Sequence, residues 1–169
     1  WLMAGNGADT LQGGSGNDTL DGGFGLDRFD GGSGIDIVDF RYSDSDWTIE
    51  LASGLEDGTA TFGAGVETLY AVETVWTAGG DDTVTLSDAA NSAWTGGGDD
   101  LIVFGDGAHT IDGAAGFDRV SYAGADAGVR VDLGLAGAQK VIDLAGNADD
   151  RMGRLSNIVH LSGSAFGDT

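Results

Sequence analysis

Aspartate is the side chain whose spacing in this sequence could do chemistry. Within two glycine-rich runs, Asp recurs every nine or every eighteen residues, and an apolar residue stands two places after each one. A carboxylate is a hard oxygen donor, and several carboxylates brought together bind a divalent cation. The aspartates in these positions are Asp9, Asp18, Asp27, Asp36, Asp82, Asp100 and Asp118.

The repeat unit is Gly-Gly-x-Gly-x-Asp-x-U-x, in which U is the apolar residue. Its glycines turn the chain sharply, because glycine takes up positive φ at little cost, and three residues remain for a short strand. Alternate strand residues face opposite ways, so position eight alone faces inward and the core is one side chain thick. Two units make one coil, and units 18 residues apart then stack in one sheet at ~4.8 Å. The position-eight residues are Leu11, Leu20, Phe29 and Val38 in the first run, and Val84, Ala93, Ile102, Ile111 and Val120 in the second.

This stacking predicts columns of aspartates along the edges of the coil. Unit charges ~5 Å apart repel by roughly 0.8 kcal/mol even in water, so a thin fold needs a cation between successive aspartates. Turn glycines also expose carbonyl oxygens, which favours Ca²⁺ over the tighter octahedron of Mg²⁺. The predicted pairs are Asp9 with Asp27, Asp18 with Asp36, Asp82 with Asp100, and Asp100 with Asp118. The predicted carbonyl ligands are those of Gly5, Gly7, Gly13, Gly14, Gly16, Gly22, Gly23, Gly25, Gly31, Gly32, Gly34, Gly96, Gly98, Gly113 and Gly116.

Asn91 and His109 replace Asp at alternate units of the second run. We therefore expect calcium along one edge of that run, because the other edge lacks its carboxylates.

The runs organise the chain as a single solenoid over residues 1–169. "GVETLYAVETV", the best helix candidate, favours strand through its Val, Thr and Tyr content. Residues 69–83 align with 155–169, and residues 31–40 align with 113–122, so the chain resembles two copies of one larger unit. The predicted segments are a first run (4–39), an intervening β segment (40–76), a second, partly degenerate run (77–121), a second β segment (122–162) and the start of a third run (163–169), with Asp168 at its sixth position.

The composition limits the choice of partners. The chain has 28 acidic and 7 basic residues, a net charge of −21, and just 4 of the acids are Glu. This charge argues against nucleic acid and anionic lipid, and it favours cations. Cys is absent, and no apolar run approaches the ~20 residues of a membrane helix, so we expect no disulfide and no membrane insertion. We also expect the chain to be a piece of a longer protein.

These repeats resemble the calcium-binding nonapeptide of the RTX (repeats-in-toxin, haemolysin-type) family. The match is strong over 4–39 and weaker over 77–121, and "GSAFGDT" and "GVRVDL" resemble inter-repeat segments of such bacterial proteins. The resemblance implies an all-β, right-handed parallel β-roll, a secreted and extracellular location, and export of the parent protein by a type I secretion system.

Each candidate residue also has a plainer interpretation. An isolated Asp in a glycine-rich turn caps nearby N–H groups as an Asx turn. The doubled acids Asp81-Asp82 and Asp99-Asp100 suggest catalysis, but we favour an exposed turn residue at the first of each pair. His109 fits a degenerate repeat better than a transition-metal site, and His160 fits an outward strand residue. We expect Trp47, Trp76 and Trp94 to be core residues or coil caps rather than a sugar platform.

The function that this pattern favours is a calcium-binding β-roll module that folds on Ca²⁺ binding after export. No nucleophile or zinc-protease motif is present in the sequence, so we expect no enzymatic activity in this piece. The alternatives are an accessory module of a secreted enzyme, of the serralysin-type protease or mannuronan (alginate) epimerase kind, or an adhesin or matrix segment that meets a glycan or cell surface.

Overall fold

A computed structural model of the chain describes residues 1–52, 57–105, 107–123, 129–130, 142–143 and 154–163. Every regular element within those ranges is a β-strand and none is a helix, which confirms the predicted all-β class. Accordingly, the described part of the chain contains no helix of the length and apolarity that a bilayer crossing requires. Most strands lie parallel in two sheets, between which the chain alternates.

Sheet 1 contains seven strands, all of them parallel. In spatial order these are β1 (Leu2–Asn6), β3 (Thr19–Phe24), β5 (Ile37–Asp39), β9 (Thr74–Trp76), β11 (Ser92–Trp94), β13 (Thr110–Asp112) and β17 (Arg154–Ser156).

Sheet 2 contains nine strands, and two of the pairings between neighbouring strands are antiparallel. In spatial order these are β2 (Thr10–Ser15), β4 (Arg28–Ser33), β8 (Gly65–Tyr70), β7 (Gly58–Phe62), β6 (Thr48–Glu50), β10 (Thr83–Thr85), β12 (Leu101–Val103), β14 (Arg119–Ser121) and β18 (His160–Ser162). Two short strands, β15 (Val129–Arg130) and β16 (Ile142–Asp143), pair with each other.

The register of the strands confirms stacking at 18 residues. Leu20 lies beside Val38 in sheet 1, and Leu11 lies beside Phe29 in sheet 2. The second run follows the same rule, with Val84 beside Ile102. The position-eight residues of both runs are buried between the sheets, as the alternation of strand side chains requires. The hand of the coil stays a prediction.

Residues 40–76 break the regular coil in sheet 2. Sheet 1 continues directly from β5 to β9, whereas sheet 2 gains β6 and β7 between β8 and β10, and β7 is antiparallel to both of its neighbours. Gly63, at φ 57°, lies in the hairpin turn that reverses the chain. Trp47 fills the interior here and stacks on Phe40 at 4.4 Å between ring centroids. The stretch "GVETLYAVETV" forms β8 and β9, so the strand prediction is confirmed.

The alignment of two larger units has a structural counterpart. Ala71 and Asn157 occupy equivalent positions and both have positive φ, 48° and 56°. The N–H group of Thr74 donates to the Asp36 carbonyl at 3.0 Å, and His160 donates in the same way to Asp118 at 3.0 Å. The first copy places this contact before a strand of sheet 1 and the second before a strand of sheet 2, so the copies are offset by half a coil. Residues 164–169, with Asp168, lie outside the described residues, as does most of 122–153.

Candidate metal centre

The aspartates of the repeat lie in the turns that join the two sheets. We call the turns from sheet 1 to sheet 2 edge 1, and the turns from sheet 2 to sheet 1 edge 2. Each Asp immediately precedes a strand, because the glycines before it complete the turn. Edge 1 carries Asp9 and Asp27 in the first run, and Asp82, Asp100 and Asp118 in the second. Edge 2 carries Asp18 and Asp36, followed in the second run by Asn91 and His109.

Backbone-to-carboxylate hydrogen bonds connect all four predicted pairs. The N–H group of each Asp donates to Oδ1 of the Asp one coil further along. The N···O distances are 2.8 Å from Asp9 to Asp27, 2.8 Å from Asp18 to Asp36, 2.9 Å from Asp82 to Asp100, and 3.1 Å from Asp100 to Asp118. The structure therefore brings the predicted residues together, and one oxygen of each acceptor carboxylate holds adjacent coils in register.

The second carboxylate oxygen is buried and lacks a hydrogen-bond partner at six of these aspartates. A buried charge is costly unless a counter-charge or donor compensates it. These oxygens therefore need either a proton or a cation. They are Oδ2 of Asp18, Asp27, Asp36, Asp82, Asp100 and Asp118.

In the first run, the missing Cβ of a glycine leaves a small gap beside this oxygen. A methyl side chain at Gly13 would place its carbon 2.6 Å from the carbonyl oxygen of Gly31, and 2.9 Å from both Cβ and Oδ2 of Asp18. These distances are too short for a carbon atom, but the two oxygens face the same small volume. An oxygen-lined space next to an uncompensated carboxylate suits a hard cation such as Ca²⁺, so the residues present fit the predicted ion.

In the first and third units of the second run, threonine occupies the corresponding position. Thr77 and Thr95 are buried at the position that Gly13 holds in its own unit. The Thr77 hydroxyl donates to the Thr95 carbonyl oxygen at 2.9 Å, and that carbonyl corresponds to Gly31 in the first run. The Thr77 hydroxyl group thus donates a hydrogen bond to a carbonyl oxygen whose counterpart in the first run faces the gap at Gly13.

Burial raises the pKa of several of these carboxyls. It raises the pKa of Asp82 to about 7 and that of Asp100 to about 6, from an ordinary value of 3.8. The pKa values of Asp27 and Asp118 are also raised, with burial again the largest cause. Without a cation, the fold therefore favours protonated carboxyls at these positions.

The predicted carbonyl ligands fall into groups with different surroundings. The Gly31 carbonyl lines the space at Gly13, and the Gly96 carbonyl accepts the N–H of Ala115 at 2.9 Å. Carbonyls that face a glycine of the next coil, where a methyl group would collide, are those of Gly5, Gly7, Gly14, Gly16 and Gly98. Metal ligation stays a prediction for all of these carbonyls, including those of Gly31 and Gly96, and for the carbonyls of Gly13, Gly22, Gly23, Gly25, Gly32, Gly34, Gly113 and Gly116.

Side chains alone do not complete a metal site in the described ranges, because no three acidic or histidine side chains converge there. Any ion at these columns would take most of its ligands from the backbone, as the glycine-rich turns lead one to expect.

Glu67 and Glu73 occupy the sixth position in segment 40–76, and the sequence reasoning missed both. The register of β8 against β4 and of β9 against β5 places them beside Asp27 and Asp36. Glu67 is fully buried, and burial together with the Asp27 charge raises its pKa to about 8. The signal was available: Glu-Thr-Leu and Glu-Thr-Val share the acid–Thr–apolar spacing of Asp9-Thr10-Leu11.

The first members of the doubled acids are exposed, as predicted, and they form a second ladder outside the first. Asp81 accepts the N–H of Asp99 at 2.8 Å, and Asp46 accepts that of Asp81 at 2.8 Å. At the interrupted edge, His109 is buried, and its Nδ1 accepts the N–H of Asn91 at 3.3 Å. The His109 imidazole thus accepts the backbone hydrogen bond that an Asp carboxylate accepts in a regular repeat. This supports the interpretation of His109 as part of a degenerate repeat. His160 is exposed on β18, as predicted.

The tryptophans follow the prediction in part. Trp47 is a core residue, 1% exposed. Trp76 and Trp94 are neither core residues nor coil caps, which corrects the expectation, because both occupy the outward-facing ninth position of sheet 1. Their ring centroids lie 6.0 Å apart, and the Arg41 guanidinium lies 4.4 Å from the centroid of Trp76.

Comparison with known proteins agrees with this geometry. No curated protein matches the chain. One family profile does match, in four copies over residues 3–38 and 76–111, and it describes the RTX calcium-binding nonapeptide repeat. The matched stretches contain the aspartate ladders of the first run and the opening units of the second. Residues 3–38 and 76–111 are therefore calcium-binding nonapeptide repeats of the RTX family.

Proposed function

We propose that this chain is a calcium-driven folding module of a secreted bacterial protein, with ions bound between successive coils at the aspartate columns. The observation that carries the proposal is the row of buried, partnerless carboxylate oxygens, which in the first run lie beside glycine-lined space. The RTX family is typical of secreted bacterial proteins, and the acidic charge of the chain suits cations.

The buried carboxylates make the metal-free coil unfavourable, because each needs a proton or a counter-charge. Extracellular calcium modules bind with a Kd of about 10⁻⁴–10⁻³ M. At the much lower calcium of the cytosol, the sites would stay empty and the chain largely unfolded, which suits passage through a type I export channel. At the ~mM calcium outside the cell, ions bind the folded form and stabilise it by mass action. In this proposal, any catalytic activity belongs to other parts of the parent protein.

A calcium titration tests the proposal. We expect circular dichroism in EDTA to show a largely disordered chain and added Ca²⁺ to produce a β spectrum, with heat of binding in calorimetry. Asp36→Asn should raise the calcium midpoint, because it removes a buried ligand. Asp30→Asn is the matched control, since Asp30 occupies the outward-facing ninth position of its unit. Identical spectra with and without calcium would count against the proposal.

A second candidate function rests on the outer face of sheet 1. Trp94 is 38% exposed beside Trp76, and it lies in register with Asp112 on the next strand. An exposed indole next to a carboxylate can stack on a sugar ring and accept its hydroxyl groups. Binding of the calcium-loaded chain on a glycan array tests this role. We expect Trp94→Ala to abolish it and Phe117→Ala, an exposed aromatic on edge 1, to leave it unchanged. An array without signal would reject this candidate.

A further inference from the structure

We propose that Glu73 and Asp36 form a further calcium site on edge 2, beyond the last unit of the first nonapeptide run. This inference rests on the proposed function, because it extends the same ladder of ions by one coil. Glu73 lies outside both stretches that match the family.

The first argument is that the contact between Asp36 and Glu73 repeats the one between Asp18 and Asp36. The Asp18 N–H donates to Asp36 Oδ1 at 2.8 Å, and the Asp36 N–H donates to Glu73 Oε2 at 2.9 Å. In both contacts, the acceptor carboxylate lies one coil further along the same edge. Glu73 therefore stands where the next Asp of a continued run would stand, and its other carboxylate oxygen can ligate an ion.

The second argument is the backbone around this contact. At Gly13, the gap left by the missing Cβ lies between Asp18 Oδ2 and the carbonyl of Gly31. At Gly31, a methyl carbon would lie 2.6 Å from Asp36 Cβ and 2.8 Å from Asp36 Oδ2, and it would collide with the carbonyl oxygen of Ala71. Ala71 therefore supplies the carbonyl that a glycine supplies in the regular repeat. Its positive φ of 48° belongs to the turn that aims this carbonyl at Gly31.

The third argument is the state of the Asp36 carboxylate. Asp36 is fully buried, and its Oδ2 lacks a hydrogen-bond partner. The same Oδ2 is the oxygen that faces the space at Gly31. A buried, unpaired carboxylate oxygen and a carbonyl that converge on one small volume are the ligands of a hard cation.

A longer side chain fits the local backbone. The N–H groups of Glu73 and Thr74 both donate to the Asp36 carbonyl, at 3.3 and 3.0 Å, so the turn is irregular at this point. In the regular coil, the Ile37 N–H donates to the Asp18 carbonyl at 2.9 Å. The extra methylene of Glu lets Oε2 reach the Asp36 N–H across this irregularity.

Two related positions lack the full set of features. Beside Gly22 on edge 1, the three nearest atoms belong to the Asp27 carboxylate and the Phe29 ring, so no backbone carbonyl takes the place that the Ala71 carbonyl takes beside Gly31. Glu67 instead accepts the Tyr42 hydroxyl at 3.4 Å. In the second copy of the larger unit, Val159 stands at the position of Glu73 and carries no oxygen in its side chain.

Counting calcium ions on the intact chain tests the inference. Native mass spectrometry or calorimetry should show one Ca²⁺ fewer on Glu73→Gln than on the wild type. Glu50→Gln is the matched control: it removes the same charge from the exposed face of β6, and it should bind the full number. An unchanged count on Glu73→Gln would overturn the site. A wild type that binds no calcium would instead reject the proposed function.

Crystals of the wild-type chain grown with calcium give a readout that does not depend on a variant folding. We expect anomalous density at about 2.3–2.6 Å from Asp36 Oδ2, the Ala71 carbonyl and the Glu73 carboxylate. Density between Asp18 and Gly31, with none at Glu73, would overturn this site and leave the rest of the ladder intact.

Discussion

The two nonapeptide runs build the same coil but fill the inside of their turns differently. The difference lies at the first position of each unit. In the first run this position is Ala or Gly, and at Gly13 and Gly31 it leaves a gap between two oxygens, whereas in the first four units of the second run a buried side chain extends into the interior. The first-position residues are Ala4, Gly13, Gly22 and Gly31 in the first run, and Thr77, Leu86, Thr95, Phe104 and Gly113 in the second.

This difference teaches that one coil can be held together in two ways. Leu86 and Phe104 join the hydrophobic core at 2% and 6% exposure, and the Thr77 hydroxyl satisfies a carbonyl. The second run therefore replaces part of what an ion would stabilise with packing and hydrogen bonds. We expect the first run to depend more strongly on calcium.

The largest effect should follow removal of calcium. A site whose Kd lies tenfold below the calcium concentration stabilises the fold by about 1.4 kcal/mol, and several sites add up. Hydrogen exchange in EDTA should therefore accelerate more over residues 4–39 than over 77–121, because the second run keeps its packed interior. Equal loss of protection in the two runs would remove the basis of the comparison.

A single methyl group should close a site in the first run. Gly13→Ala puts a carbon against the Gly31 carbonyl and Asp18 Oδ2, so we expect one ion fewer and a loss of about 1–3 kcal/mol through overpacking. Calcium stoichiometry and urea denaturation measure both effects. Gly5→Ala is the control, since a methyl group there meets no atom within 4 Å. If the two variants bind calcium equally well, the space at Gly13 is not an ion site.

A lower pH should change the stability of the fold in opposite directions with and without calcium. In EDTA, the raised pKa values of Asp82 and Asp100, about 7 and about 6, mean that the fold binds more protons than the unfolded chain. The free energy of unfolding of the metal-free second run should then fall as pH rises from about 4 to about 7. With calcium, acid should destabilise, because protons compete for the ligands. Melting temperatures measured at about pH 4 and about pH 7, with and without EDTA, test the direction of each change. A change in the same direction under both conditions would contradict the prediction.

The smallest effect should come from one hydroxyl. Thr77→Val removes the donor to the Thr95 carbonyl and should cost about 0.5–1.5 kcal/mol in EDTA. Thr85→Val, which lies on the outward face of β10, is its control. Thermal denaturation without calcium measures the difference, and equal melting temperatures would mean that this hydrogen bond does not stabilise the second run.

The regular part of the fold was predictable because its information is local. Each unit carries its own turn glycines, its Asp and its inward apolar residue, so the pairing of Leu11 with Phe29 and the column from Asp82 to Asp118 follow from spacing alone. Stacking at a constant interval then needs no knowledge of distant contacts.

The irregular part was not predictable in this way. The pairing of β8 with β4 joins residues about forty positions apart, so the constant interval of eighteen residues does not predict it. The predicted core, one side chain thick, omitted Leu86 and Phe104, because their position in the repeat is normally glycine. Glu73 escaped notice because no glycine turn precedes it, and Glu67 because Glu replaces Asp there, although the acid–Thr–apolar spacing was present at both and Gly63 and Gly65 precede Glu67.

The unequal strand counts of the two sheets also determine a shape. Between β8 and β10, sheet 2 contains three strand spacings where sheet 1, from β9 to β11, contains one. At ~4.8 Å per spacing, one side of the stack is longer by about 10 Å. We expect a stack of coils with one longer side to curve, with sheet 2 on the convex side. The Trp76–Trp94 pair spans β9 and β11, so such a bend would place it on the concave side.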